Sequence, residues 1–328
     1  MLKRLFRGRL ADPELDDDPA FDDFDLRAAR DRARAGEWQA ARDVLHGADH
    51  EVRGRRFAVL AEAAAADESW LLAWDRAEPG HPDAAILMAA HLMAAAGRAR
   101  GAASAKHTTA EQFAGFASFG AAARAASRRA IELAPADPAP WYGIVSSMLT
   151  GNGSMPEFND AMREGLRRDR YHFELHLAAV TYLCRKWYGS HEKMFAAARK
   201  AADGAPAGAS VHVLPVFAHF EYAMREYCWD TRSPEAFLRV CQYFGRRDVA
   251  AEVDACAERF RAAGPRRLGR APTAYSWLAL AGVLGGRPAR ARAAFAELLP
   301  YRAGTGAWGY FYLDGAGGFL TGWSWAHR

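Results

Sequence analysis

The chain has 328 residues, 51% of them hydrophobic and 25% charged, with 43 basic against 39 acidic side chains and a formal net charge of +4. These are the values of a globular protein, which excludes wholesale disorder, and so small and scattered a basic excess gives no reason to expect nucleic-acid binding. Alanine, the strongest helix former, fills 73 positions against 15 prolines, which argues against an all-β fold.

The first ten residues interleave Lys3, Arg4, Arg7 and Arg9 with Leu2, Leu5, Phe6 and Leu10. They read either as a frayed basic terminus or as a short amphipathic peptide for a partner or a membrane surface. They lack the long apolar stretch of a signal peptide, and no later run approaches the roughly 18 residues of a membrane span. The expected location is the cytoplasm. Residues 11–25 carry eight carboxylates and two prolines, so an extended, mobile leader or a cap edge is expected.

Beyond the leader the chain reads as helices. Gly36 marks a turn, Trp38 follows, and Ala41, Leu45 and Ala48 fall on one small, apolar helix face. Trp70, Trp74, Ala77 and Pro82 suggest a further pair within residues 58–97, with core packing as the role of both tryptophans. Residues 97–109 read as an exposed connector, with Thr108 or Thr109 capping the next helix. At the following junction Ala130 and Leu133 end a helix, Pro135 and Asp137 form the turn, and Pro138 and Trp141 open its successor. The stretch 151–155 (GNGSM) resembles a phosphate loop, but no strand precedes it and an inter-helix turn explains it.

Partial versions of the pattern recur at Phe158 and Ala161, at Met194, Ala198 and Ala201 after Gly189, and at Ala250 and Ala257 after Gly245. A whole helix pair is legible around Leu278, Gly286, Ala291, Phe295 and Leu298, preceded by a linker over 262–272. An extra helix is expected between about 207 and 232. The Gly-rich tail from 304 holds seven aromatic residues, Trp308 to Trp325, which argues for a packed cap rather than a loose end.

These spacings resemble a degenerate tetratricopeptide-like array, whose family period is about 34 residues. The resemblance implies an all-α fold: a right-handed α-solenoid of about twelve to fourteen helices closed by an aromatic-rich C-terminal cap. The domain reading is a basic then acidic leader over 1–24, the array over 25–303 and the cap over 304–328. It also implies that first helices line a concave groove, and residues 171–186 would be one of them.

No GxSxG, HExxH, Walker or opening GxGxxG pattern occurs, so no catalytic residue and no cofactor are assigned. Cys184, Cys228, Cys241 and Cys256 lack CxxC spacing and read as reduced, mostly buried thiols. One region stands out, because five of the 11 histidines fall between His172 and His219. The candidate groove lining is Tyr171, His172, His176, Arg185, Trp187, Tyr188, His191, His219, Glu221, Tyr222 and Arg225, aromatic and cationic groups suited to an acidic peptide. The expected function is a non-enzymatic scaffold that captures a protein or peptide partner, with self-association through the N-terminal peptide as one form. Such a His-rich lining would release a basic partner below about pH 6.5. The alternative is a helical enzyme, or a metal- or small-ligand-binding protein. It would use His172 and His176, four apart on one helix face, with His219 and Glu221.

Overall fold

The computed structural model describes residues 13–101, 107–151, 153–229, 231, 233–302 and 305–328, and all regular elements within them are helical. Helices α1 (Phe24–Arg34) and α2 (Gln39–Leu45) form the opening pair, joined through Gly36, whose φ of 97° suits only a residue without Cβ. Ala41 and Leu45 are wholly buried, on the face their spacing predicts. Helices α3 (His50–Ala66), α4 (Ser69–Ala77), α5 (Pro82–Arg100) and α6 (Ala110–Leu133) follow. Trp74 of α4 is fully buried and stacks on Trp38 at 5.9 Å. At the start of α6, Thr109 accepts from the Gln112 amide while the Gln112 side chain accepts from the Thr109 amide, a reciprocal cap.

Asp137 accepts from the Ala139 amide at 2.8 Å and so opens α7 (Ala139–Met148). Next come α8 (Met155–Arg168), α9 (Phe173–Tyr182) and α10 (His191–Ala202), the last capped by Ser190, which accepts from Lys193. The expected extra helix is α11 (Leu214–Ala223), flanked by a 3-10 turn at Ser210–Val213 and a π-helical turn at Met224–Cys228. The chain continues through α12 (Pro234–Phe244), α13 (Arg247–Arg261), α14 (Ala271–Leu284), α15 (Pro288–Leu298), α16 (Thr305–Phe311) and α17 (Gly315–Ala326). The described residues thus hold 17 α-helices, more than the spacing suggested, because several are only two or three turns long. None is long and apolar enough to cross a membrane.

Three apolar clusters form the interior. One runs from Ala20 to Leu87 and takes in Ala130, one runs from Ile144 to Tyr182, and the largest from Phe173 to Ala326. Phe21 belongs to the largest although it lies at the other end of the chain.

That placement corrects the expectation of a mobile leader, as far as residues 13–24 are concerned. The Asp16 amide donates to the Pro300 carbonyl at 2.9 Å, and Arg302 returns a bond to the Asp16 carbonyl. Asp17 pairs with Arg302, Asp18 with Arg27 and Arg30, and Asp22 takes both Arg267 and the Tyr301 hydroxyl. Repulsion among the carboxylates is offset by arginines, several of them far away in sequence. The basic peptide lies within residues 1–12, outside the described residues. The linker at 262–272 is also more than a connector: Glu51 of α3 accepts from Arg266 at 2.8 Å and from the Arg270 amide at 3.2 Å. Residues 16–22 and Glu51 are therefore tied to the same stretch of chain, 266–302.

Candidate functional site

A groove of about 820 Å³ opens between α3, α5 and α7. Its walls are small or apolar: Ala58, Ala61, Ala89, Ala90, Ala94, Gly97 and Gly143, with Phe57, Ile86, Met93 and Leu149. Alanine and glycine hold the helices in register while leaving a slot that larger side chains would fill.

One end of the slot is polar. Glu174, in the first turn of α9, is 3% exposed and pairs with Arg270, which directly precedes α14. Its carboxylate lies flat on α3 at Gly54, where a Cβ would come within 2.8 Å of Oε2. Only glycine permits that approach. Oε2 itself has no hydrogen-bond partner. Arg55, the next residue on α3, also lines the groove. It lies over the Phe21 ring at 4.8 Å and donates through Nη2 to the Pro19 carbonyl, while its Nε is unpartnered. Among the described residues no carboxylate stands within ion-pair distance of Arg55. Burial, with Arg270 close by, pulls its guanidinium down to about 9, still charged at neutral pH. Burial likewise raises the Tyr142 phenol on α7.

His172 is the one sequence-derived candidate that lines this groove. It is not on a helix face with His176. It caps α9, its Nδ1 accepting from the Leu175 amide at 3.3 Å, whereas His176 Nε2 meets the Arg170 carbonyl at 2.9 Å. Burial lowers both histidines from the usual 6.5. The unfolded chain therefore binds protons that the folded chain excludes, and stability is lost as pH falls below about 6.5. Protonation of Nδ1 also destroys the cap. A His172→Asn variant, which keeps a capping acceptor without titrating, is expected to lose less stability between pH 7 and pH 5 in urea unfolding. Equal losses in both proteins would refute this role.

The remaining candidates gather elsewhere and largely satisfy one another. Lys186 pairs with the buried Glu221 at 2.8 Å, and Glu221 accepts from the Tyr310 hydroxyl at 2.6 Å. Arg185 and His191 share Glu226, Tyr222 stacks on Tyr243 at 4.9 Å, and Arg225 lies over Trp229. Tyr188 stacks on Tyr182, the Tyr171 hydroxyl bonds the Gly204 carbonyl at 2.5 Å, and Trp187 packs on the largest core cluster. His219 sits between the Tyr243 hydroxyl at 2.6 Å and Glu252 at 3.1 Å. His219 and Glu221 face different neighbours, and His172 and His176 others again. These four do not converge, and among the described residues no three His, Cys, Asp or Glu are placed to hold a metal ion. Cys184, Cys228 and Cys256 are buried and Cys241 half-buried, and none of the four is in a disulfide.

Sequence reasoning did not assign Arg55, Glu174 or Arg270 to a site. No local signal marks them, since they come from three helices' worth of separate chain. No protein family, curated protein or solved structure matches this chain, so the site must be read from its own residues.

Proposed function

We propose that this is a non-enzymatic binding protein, a right-handed tetratricopeptide-like array whose binding site is the groove between α3, α5 and α7. The observation that carries the reading is the groove itself: about 820 Å³ and mostly apolar, with Arg55, His172, Glu174 and Arg270 gathered in its lining. That volume lies in the range of small-molecule sites, roughly 300–1,000 Å³. A three-turn peptide helix, about 16 Å long and 10 Å across, would need more. An extended peptide fares worse. The walls are helices whose backbone groups are already paired internally, so its N–H and C=O groups would be buried without partners. The groove therefore favours a small apolar or amphipathic ligand over the peptide capture that the repeat pattern implies.

The test uses N-phenyl-1-naphthylamine, an uncharged fluorophore that brightens in apolar surroundings. The protein is expected to bind it in one saturable step, and Ala90→Trp, which fills the slot from α5, is expected to weaken binding at least tenfold without altering the thermal transition. Undiminished binding in a folded Ala90→Trp variant would overturn the reading.

A further inference from the structure

We propose that the ligand of the groove is a long-chain monocarboxylate, with the apolar chain along α3, α5 and α7 and its carboxylate on Arg55. The inference rests on the groove being the binding site and adds the chemical class of its occupant.

One positive charge is left over at the polar end of the groove. At the polar end two guanidiniums, Arg55 and Arg270, face the single carboxylate of Glu174, and Arg270 is the one that pairs with it. Asp18, the other acid whose charge acts on Arg55, is taken by Arg30 at 2.8 Å and Arg27 at 3.3 Å. His172 is held neutral by burial and adds no charge. Arg55 is thus a half-buried cation without an ion-pair partner among the described residues, with Nε unpartnered and the ring of Phe21 as its support. A single negative charge balances the site. A carboxylate matches the guanidinium fork in geometry as well, since two parallel N–H···O bonds form at once. A phosphate dianion would exceed the available positive charge, and an ammonium would meet two cations.

The rest of the cavity selects the other half of the ligand. Beyond Ser146 and Tyr142 the lining offers few polar partners until Glu62 and Arg98 at the far mouth, which pair with each other at 3.5 Å. Met93, Ile86 and Leu149 instead offer a surface for an unbranched hydrocarbon. Each methylene buried there is expected to tighten binding about 3- to 4-fold.

The experiment displaces N-phenyl-1-naphthylamine with dodecanoate, dodecanol and dodecylamine, each below its aggregation limit. Dodecanoate is expected to compete at least tenfold more tightly than dodecanol, and dodecylamine more weakly than either. Arg55→Gln is expected to erase the advantage of the carboxylate while leaving dodecanol competition unchanged, and Arg55→Lys to retain part of it. Equal competition by dodecanoate and dodecanol in the unmodified protein would overturn the proposal and leave the groove as an apolar site. Failure of the fluorophore to bind at all would overturn the underlying reading, and the proposal with it. Should Arg55→Gln not fold, the comparison within the unmodified protein still decides.

Discussion

Replacing Glu174 by glutamine is expected to cost about 3–5 kcal/mol of unfolding free energy, the range for breaking a buried ion pair by removing one partner. The side chain is 3% exposed, and Arg270, its partner, has a side chain only 13% exposed. Glutamine preserves the shape against Gly54 but removes the one anion that faces Arg55 and Arg270. Two guanidiniums would then remain in a poorly solvated pocket without a carboxylate between them. Urea unfolding followed by circular dichroism reads the loss directly. A cost below about 1 kcal/mol would mean that water already solvates the pair, as at an exposed salt bridge. The polar end of the groove would then be an open surface rather than a built site.

The second large effect is expected at the C-terminal end. Trp308 of α16 is fully buried, packs on Phe319 at 5.4 Å and Phe295 at 6.1 Å, and donates from Nε1 to the Ser276 hydroxyl at 3.1 Å. Gly322 of α17 lies against the same indole, where a Cβ would stand 2.9 Å from the ring. Trp308→Ala is expected to destabilise by about 3–5 kcal/mol, since the cavity is too large to collapse and the Ser276 hydroxyl loses its partner. The damage should be local before it is global. Hydrogen exchange in α16 and α17 is expected to quicken ahead of the rest, and exposure of the Lys186–Glu221 pair should follow, because Tyr310 covers it. Uniform quickening across all helices would mean that this end is no separate layer.

What the sequence made legible was local. The Thr109–Gln112 box, the Ser190 cap and the Pro135–Asp137 turn each depend on residues within about four positions, the reach of helix-end chemistry. The Met194, Ala198, Ala201 stripe is buried because a helix face repeats on the same scale. Long-range partnerships were invisible. Asp22 and Arg267 are 245 positions apart, and nothing along the chain announces that the acidic segment will find arginines there. The groove was hidden for another reason: alanine and glycine mark it by what they leave empty, and in this chain such residues are everywhere. His172 misled because its spacing to His176 assumed a helix that begins at 171, whereas α9 begins at Phe173 and uses His172 as its cap.

Occupancy of the groove is measured most directly in a crystal of the protein soaked with 12-bromododecanoate. The expected result is an anomalous bromine peak beside Met93 and Leu149, with carboxylate density on Arg55 at the opposite end of the chain. Bromine bound elsewhere, with the slot between α3, α5 and α7 holding only water, would contradict it.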